Sequence, residues 1–504
     1  MVDIAHENRI DVLRQTAQLL ADENTRLHRR LLELTRELAN AKGTSNAEQL
    51  ALEIQRLGEQ LAARTRQLFG EKSEKRKRTG SGEARDTQPQ TGHGPREQAA
   101  LPIVEQVHEL DEADKVCTTC GGGLEPWTGQ FEDADEVDVV ERSFRIVRHR
   151  RQKYRCGCGG CVETAYGPDK LLAGGRYSVD FAVMVTLDKY LEHMPLARLV
   201  REMKRQGLAV STQTLWDQLF ALSRHLEPSY EALKRYVRSA PVIGADETTW
   251  RLMEKKGTSK WWVWALCRED AVVYTLKGSR STAAAASVLE DYSGTVIADA
   301  YSAYQALRNQ RVRDGKASYT LAACWAHARR KFVEADSAVA DAVIEQIGRL
   351  YEIETRGRAG PPGELAALRR SASRAILDNL RLHLEELQTK TPPRSALGTA
   401  IAYTLNLWEA LSRFVDDPAI AIDNNATERA MRTVCVGRKN HYGSRSERGT
   451  KVAAIFYSLI ESAKLAGVDP GAYLREAALR SIRSRGAGAV TLPHELRDLP
   501  PQPA

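Results

Sequence analysis

The sequence lacks any apolar segment long enough to cross a membrane. No uninterrupted apolar run approaches the roughly 20 residues that a spanning helix needs. The opening MVDIAHENRIDVLRQ also lacks the apolar core of a signal peptide. We therefore expect a cytoplasmic protein that has no membrane partner.

Cysteine is scarce, with eight among 504 residues, which excludes a small module stapled by disulfides. Five of the eight nevertheless form two tight groups, Cys117 and Cys120 followed by Cys156, Cys158 and Cys161. In a reducing compartment such grouping favours a metal, and a tetrahedral zinc site needs four soft ligands. We predict structural zinc held by Cys117, Cys120, Cys158 and Cys161, with Cys156 as an alternative ligand. The intervening FRIVRHRRQKYR alternates and predicts a strand between the groups.

A strong excess of either charge is also missing. Lys and Arg number 73 against 66 Asp and Glu, giving a net charge of +7. This small excess leans toward a polyanionic partner without identifying one. The length allows roughly three or four domains. Because the net charge is small, any argument about nucleic acid must rest on where the basic residues lie.

Apolar residues recur at spacings of 3, 4, 3 and 4 from Ile10 to Leu38, which is the heptad rhythm of a coiled coil. Asn24 falls at an a position, where a buried Asn fixes register and oligomer state. The rhythm resumes after the break AKGTSN. We predict a coiled coil over residues 1–69 that mediates self-association, with a helical hairpin packed on its own chain as the alternative.

The stretch PLARLVREMKRQGLAVSTQTLWDQL predicts two helices joined by a tight turn at Gly207, the second beginning near Ser211 or Thr212. Its apolar positions form one face, which is typical of a helix-turn-helix. Four basic residues outside that face are candidate DNA contacts: Arg198, Arg201, Lys204 and Arg205. A helical hairpin without a DNA-binding role is the alternative.

From residue 241 the pattern changes to strands, a helical crossover and further strands, which predicts a mixed α/β sheet. Asp246 ends the apolar run VIGA, and Asp299 ends the run TVIA. An aspartate at such a position is costly to bury unless it caps, pairs or holds a cation. Two such strands in one sheet can bring both carboxylates together, whereas alternation sends Glu247 to the opposite face.

A third carboxylate occurs in the segment AIDNNATERAMR, residues 421–432. The run DNN can cap a helix, which places Glu428 on the first turns of that helix. Together with two aspartates, such a carboxylate can hold a pair of Mg²⁺ or Mn²⁺ ions about 3.5–4 Å apart. The structural alternative is an ordinary pair between Glu428 and Arg432, worth about 0.3–0.5 kcal/mol.

Six motifs occur in an order that resembles the insertion sequence 66 family of transposases, the TnpC type: VIGADETTWR, GTVIADAYSAY, CWAHARRKF, DNNATERAMR, GRKNHYGS and FYSLIESAKLAGVDPGAYL. The segment LFGEKSEK and the two cysteine groups also resemble N-terminal features of that family. The resemblance covers nearly the whole chain. This chain departs from the family in its second cysteine group, where Cys156, Cys158 and Cys161 replace a single Cys-x2-Cys.

The resemblance implies a DDE transposase, an enzyme that cleaves phosphodiesters and joins DNA by metal-dependent transesterification. Motif matching gives Asp246, Asp299 and Glu428 as the catalytic acids and the ligands of two Mg²⁺ or Mn²⁺ ions. The implied partners are terminal inverted repeats, target DNA, further copies of the chain and companion proteins encoded by the same element, in a bacterial cytoplasm near the nucleoid. Further candidate DNA contacts are His327, Arg329, Arg330, Lys331, Arg429, Arg432, Arg438 and Lys439. The alternatives are a DNA-binding regulator and a nuclease without strand transfer.

The expected fold is a multidomain α/β protein with an N-terminal coiled coil, a small zinc-binding domain, a helix-turn-helix segment and a ribonuclease H-like catalytic core with an α-helical insertion. The predicted boundaries are a coiled coil over 1–69, a basic flexible linker over 70–100, a zinc-binding domain over 101–170, a helix-turn-helix segment over 171–235, a DDE core over 236–480 with its insertion at about 336–420, and a tail over 481–504.

Overall fold

The computed structural model describes residues 142–155, 161–254, 257–299, 301–484 and 489–497, together with isolated positions between 22 and 126. Nearly all of the predicted coiled coil, the predicted linker, and Cys117, Cys120, Cys156 and Cys158 lie outside the described residues. The described residues from Phe144 onward belong to one compact unit. Among the described residues, no helix combines the length and the apolar character that crossing a membrane requires.

The described residues form strands and helices in the first two thirds of the chain and only helices after residue 323. The strands are β1 (Lys153–Arg155), β2 (Val162–Thr164), β3 (Val242–Glu254), β4 (Gly257–Arg268), β5 (Ala271–Lys277), β6 (Thr295–Ala298) and β7 (Thr320–Ala323). The helices are α1 (Val179–Tyr190), α2 (Leu196–Arg205), α3 (Thr212–Arg238), α4 (Thr282–Leu289), α5 (Ser302–Arg313), α6 (Trp325–Ala335), α7 (Ala338–Ala359), α8 (Glu364–Leu368), α9 (Arg374–Lys390), α10 (Ala396–Asn406), α11 (Trp408–Ser412), α12 (Asn425–His441), α13 (Glu447–Leu465) and α14 (Pro470–Arg483).

A five-stranded mixed sheet lies at the centre of this unit. Its strand order is β5-β4-β3-β6-β7, in which β3, β4 and β5 pair antiparallel while β6 and β7 run parallel to β3. The parallel pairing of β3 and β6 runs from Val242 opposite Thr295 to Gly244 opposite Ile297. Strand β6 reads TVIA and is buried from its second residue, as expected for a strand covered on both faces. The predicted mixed α/β sheet is confirmed.

Helices α2 and α3 form the predicted hairpin. Gly207 has a φ of +84° in the turn, a left-handed conformation that suits glycine. Ser211 caps α3, since its side chain accepts a hydrogen bond from the amide of Thr214 at 3.0 Å. Helix α3 continues to Arg238 and shares one hydrophobic core with the sheet. The domain boundary predicted after residue 235 therefore does not separate two hydrophobic cores.

Strands β1 and β2 form a small separate hairpin. Arg155 lies opposite Val162, so residues 156–161 connect the two strands and Cys161 is exposed directly before β2. The sequence predicts a strand through all of FRIVRHRRQKYR, but only its end, Lys153–Arg155, is a strand. The residues before it are mostly exposed, and alternation does not make a strand without a face to bury.

Helices α7 to α11 form the region that the sequence predicts as a helical insertion at about 336–420. Together with residues up to Ile422 they build a second hydrophobic core, which also contains Trp325 and Phe332 of α6. Three sheet residues, Ile297, Ala322 and Ala323, belong to this second core. The insertion therefore packs against the β6–β7 side of the sheet.

The insertion contains a buried ion pair. Arg369 is 1% exposed and donates through Nε and Nη2 to the two carboxylate oxygens of Glu354, at 2.6 and 2.7 Å. Its Nη1 donates to the carbonyl oxygens of Phe414, Asp417 and Ile420. One side chain thus ties α7 to the segment that leads into α12.

Helix α13 packs on β5 and bonds to its backbone through side chains. Ser462 Oγ accepts the N–H of Val272 at 3.0 Å and donates to the Val272 carbonyl at 2.8 Å. Ser458 Oγ accepts the N–H of Tyr274 at 2.8 Å, and the Tyr230 hydroxyl of α3 donates to the Tyr274 carbonyl at 2.8 Å. Hydroxyl groups from two helices therefore complete the hydrogen bonding of β5 on the side away from β4.

Candidate active site

Asp246 and Asp299 lie at the same level on neighbouring strands. The register of β3 and β6, continued just past the end of β6, sets the two aspartates opposite each other. Asp246 Oδ1 accepts the N–H of Glu247 at 2.8 Å, and Asp299 Oδ1 accepts the N–H of Tyr301 at 3.0 Å. One backbone donor therefore orients each carboxylate.

The N-terminus of α12 docks directly on β3. Asn424 Nδ2 donates to the carbonyl of Ala245 at 2.9 Å. Gly244 permits this approach, because a Cβ there would lie 2.0 Å from Thr427 Oγ1 and 2.7 Å from Asn424 Oδ1. This docking holds Glu428, in the first turn of α12, near Asp246 of β3.

The rest of α12 is fastened to the same strand. Arg438 Nη1 donates to Thr248 Oγ1 at 3.1 Å, to Thr249 Oγ1 at 2.8 Å and to the Thr249 carbonyl. Beyond the helix, the N–H of Ser444 donates to the carbonyl of Arg251 at 3.0 Å. The sequence predicts Arg438 as a DNA contact, and in the structure its Nη1 is held by β3.

Asp423 turns toward the start of α12. Its Oδ1 accepts the N–H of Asn425 at 3.1 Å, and its Oδ2 accepts from the side-chain amide of the same residue at 2.6 Å. Asn424 occupies the N-cap position but makes no side-chain cap bond, because its amide donates to Ala245. Asp423 therefore stabilises the helix start, and Glu428 is the carboxylate of this segment whose charge acts on Asp246.

The negative charges of Asp299 and Glu428, which lie on other elements, act on Asp246 of β3. The pKa of Asp246 is raised to about 7, first by burial and then by the negative charges of Glu247, Asp299 and Glu428. Clustered like charges resist simultaneous ionisation, and a divalent cation between them removes that repulsion. Carboxylate oxygens are the ligands that Mg²⁺ and Mn²⁺ prefer. The donor set of Asp246, Asp299 and Glu428 therefore fits such ions.

Glu247 belongs to a different cluster. Its buried carboxylate accepts a hydrogen bond from Arg280 Nε at 2.8 Å and from the Tyr304 hydroxyl at 2.8 Å. The guanidinium of Arg280 also lies 3.7 Å from the ring centre of Tyr301, close in the chain to Asp299. A carboxylate paired in this way is a poor ligand for an added cation, in agreement with its predicted orientation away from Asp246.

A second group of possible ligand atoms lies at the start of α6. One atom from each of Cys324, His327 and Glu428 falls within 4.8 Å of the others. Cys324 Sγ accepts the N–H of Asn424 at 3.2 Å, and burial raises the pKa of its thiol to about 11. A thiol must lose its proton to bind a metal, so this group suits a cation less well than the three carboxylates. The sequence gives no signal for the contact, because Cys324 and Asn424 are 100 residues apart.

The other basic residues predicted from the sequence lie on three helices. The exposed ones are Arg429, Arg432 and Lys439 on α12, Arg198, Arg201, Lys204 and Arg205 on α2, and Arg330 on α6. Helix α6 carries Arg329, Arg330 and Lys331. His327, also on α6, instead has its Nδ1 3.7 Å from Glu428 Oε1. The structure therefore places His327 with the carboxylates.

Replacing Asp246 with Asn tests the raised pKa. In the folded protein this pKa is about 7, above the value of about 3.9 for an unfolded chain. The folded state therefore binds more protons between these values, and its stability falls as the pH rises through that window. Without divalent cations, we expect Asp246→Asn to be more stable than the parent at pH 8 by about 1–3 kcal/mol.

Urea unfolding in chelator at several pH values measures this difference. It should shrink toward about pH 4, where the parent carboxyl is also neutral. Added Mg²⁺ should reduce the stability difference between variant and parent at pH 8, because the ion stabilises the parent. A stability difference that is the same at both pH values would contradict the raised pKa.

Comparison with known families agrees with the order of these features along the chain. Residues 174–452 match the family model described as Transposase IS66 family. Residues 114–159 match the model described as zinc-finger binding domain of transposase IS66. The second match includes four of the grouped cysteines, Cys117, Cys120, Cys156 and Cys158, and ends before Cys161.

Individual relatives are similar over most of their length. The uncharacterized protein y4jD of Sinorhizobium fredii (strain NBRC 101917 / NGR234) is 30% identical, over 76% of this chain and 77% of the relative. The uncharacterized protein y4qI of the same strain is 30% identical, over 77% of this chain and 74% of the relative. Because the transposase model alone covers more than half of the 504 residues, the chain belongs to the IS66 family of transposases, with a zinc-finger domain and a DDE catalytic domain.

Proposed function

We propose that the protein binds the terminal inverted repeats of an insertion sequence and catalyses metal-dependent cleavage and strand transfer of DNA. The observation that carries this proposal is the effect of Asp299 and Glu428 on Asp246, whose pKa is raised to about 7 by burial first and then by neighbouring negative charges that include these two. A ribonuclease H-like core is supported by the strand order, in which three antiparallel strands are extended by two strands parallel to the first.

In the proposed mechanism Asp246, Asp299 and Glu428 would hold two Mg²⁺ or Mn²⁺ ions, which would supply activation of the attacking oxygen and stabilisation of the leaving oxygen in an in-line displacement. Asp246 and Asp299 are kept in place by the backbone donors that each accepts. Glu428 is kept in place by a helix docked on β3. No covalent protein intermediate is required, because the 3′-hydroxyl released by cleavage attacks the target DNA.

DNA binding is proposed through two exposed basic surfaces. Arg429, Arg432 and Lys439 lie on the helix that carries Glu428, where they can contact phosphates close to the reacting bond. The basic residues of α2 extend along the outer face of the helix-turn-helix hairpin. Arg329, Arg330 and Lys331 on α6 are proposed as further contacts. Such contacts make affinity strongly dependent on salt concentration.

Two alternatives remain distinct from strand transfer. A DNA-binding regulator would use the hairpin and the zinc module without chemistry, and a nuclease would cut without joining. A strand-transfer assay on an oligonucleotide ending in the inverted repeat separates the three, because a regulator gives no product and a nuclease gives cleavage alone. The reaction is proposed to involve companion proteins encoded by the same element, so extracts that contain them belong in the assay.

Alanine variants of the triad test the catalytic assignment. We expect Asp246→Ala, Asp299→Ala and Glu428→Ala to abolish cleavage and joining while specific DNA binding stays largely intact, because these groups hold cations and not phosphates. Asp423→Ala is the matched control, since its carboxylate bonds to Asn425. It should cost about 0.5–2 kcal/mol of stability as a lost helix cap and keep activity. Substantial activity in Glu428→Ala would remove the third ligand from this scheme.

The zinc ligands are proposed to be Cys117, Cys120, Cys158 and Cys161, with Cys156 as the alternative to one of the last pair. The matched zinc-finger region includes Cys156 and ends before Cys161, which strengthens the alternative. We expect Cys117→Ser or Cys120→Ser to release about one zinc per chain and to unfold the region near 110–165, because structural zinc contributes folding free energy.

Metal analysis and limited proteolysis measure both effects, and the catalytic core should stay folded. The single variants Cys156→Ser, Cys158→Ser and Cys161→Ser then decide the second pair of ligands, since only two of these three should lose zinc. Protein purified without chelator that contains no zinc would exclude the site.

Self-association is proposed through the leucine positions of residues 10–61, because two element ends must meet in one complex. We expect the double variant Leu20→Glu with Leu27→Glu to reduce oligomer size and paired-end joining, since unpaired carboxylates in a buried seam cost several kcal/mol each. Cleavage of a single DNA end should be less affected. Light scattering that shows an unchanged oligomer with normal paired-end joining would place the interface elsewhere.

A further inference from the structure

The junction between β7 and α6 is hydrogen-bonded to the residues that lead into α12. The N–H of Trp325 donates to the carbonyl of Ile422 at 3.1 Å. The N–H of Asn424 donates to Cys324 Sγ at 3.2 Å. Both contacts are made by backbone donors close to Glu428, so the first turn of α6 has a fixed position relative to the first turn of α12.

His327 lies on that first turn of α6 and faces Glu428. Its Nδ1 is 3.7 Å from Glu428 Oε1. Both atoms are buried, and each lacks a hydrogen-bond partner. Buried polar atoms of this kind are uncommon and call for an explanation. At 3.7 Å the pair is slightly too long for a direct hydrogen bond.

The two side chains remain accessible at their other ends. His327 is 26% exposed and Glu428 is 28% exposed, so the pair lies at the wall of the site and not in the core. A carboxylate held through one oxygen presents its second oxygen in a defined direction. Partners of this kind orient metal-binding carboxylates in many proteins.

We propose that His327 is a positioning residue, which holds Oε1 of Glu428 so that the carboxylate is oriented toward Asp246 and Asp299. This inference rests on the proposed metal-binding role of Glu428. It gives His327 a different task from the DNA contact predicted from the sequence. Cys324 helps to hold the same helix, because its Sγ accepts the backbone N–H of Asn424, the residue that precedes α12.

Three substitutions at His327 separate this role from others. The amide nitrogen of Asn can take the place of Nδ1, whereas that of Gln takes the place of Nε2. We expect His327→Ala and His327→Gln to raise the Mg²⁺ concentration that half-saturates cleavage by about 10–100-fold. His327→Asn should stay within a few-fold of the parent. Mn²⁺, a tighter-binding ion, should restore much of the lost activity.

The assay uses the full chain, a repeat-ended oligonucleotide, and thermal unfolding without divalent ions as a check on folding. His383→Ala, on α9 of the insertion, is the matched histidine control and should leave the Mg²⁺ requirement unchanged. An unchanged Mg²⁺ requirement in His327→Ala, or equal losses in the Asn and Gln variants, would overturn the proposal. A fall in DNA affinity at an unchanged Mg²⁺ requirement would make His327 a phosphate contact instead.

Glu428→Ala distinguishes failure of this inference from failure of the proposed function. If Glu428→Ala is inactive and His327→Ala behaves as the parent, the positioning role alone is wrong. If Glu428→Ala keeps parental activity, both are wrong. Loss of one equivalent of zinc on His327→Ala would show that Cys324, His327 and Glu428 form a separate metal site, which also overturns the positioning role.

Discussion

The side-chain amide of Asn424 donates to the carbonyl of Ala245. The neighbouring residue 244 is a glycine, and a side chain there would keep the helix from coming so close. From this contact α12 follows β3, held again by Arg438 at Thr248 and Thr249 and by Ser444 beyond its end. Hydrogen bonds to a charged donor are each worth about 1.5–3 kcal/mol. A helix held at both ends and in the middle can place a carboxylate rigidly, which a loop cannot do.

The insertion contributes to the same placement from the other side. Arg369 joins Glu354 of α7 to the carbonyls of Phe414, Asp417 and Ile420, and the chain enters α12 only a few residues later. A buried pair of this kind is costly to break, since removal of one partner leaves an uncompensated charge and costs about 3–5 kcal/mol. The helices between the second and third acids are therefore part of the support for Glu428.

Sequence reasoning succeeded where the physical signal is local. Gly207 and Ser211 mark a turn and a helix start by their own conformational preferences, and an aspartate that ends an apolar run is conspicuous whatever surrounds it. It gave no signal that Arg438 bonds to β3, because that contact joins residues 189 positions apart.

The contact of Cys324 with Asn424 also had no local signal, because it joins residues 100 positions apart. The strand expected before Arg155 was wrong for a related reason, since alternation predicts a strand only where a second surface covers one face. The motifs named the three acids, and the run DNN predicted the helix that carries Glu428, but nothing local in the sequence indicated that Asn424 and Gly244 dock this helix on β3.

The hydroxyl groups that bond to β5 have a consequence for how copies of this chain can associate. The outer strand of a sheet usually presents unpaired N–H and C=O groups, and these can recruit a strand from another molecule. Here the N–H groups of Val272 and Tyr274 already donate to Ser462 and Ser458 of α13. A second copy, or a stretch of unfolded chain, cannot extend the sheet at this strand without first displacing the helix, so β5 is protected against strand-mediated aggregation.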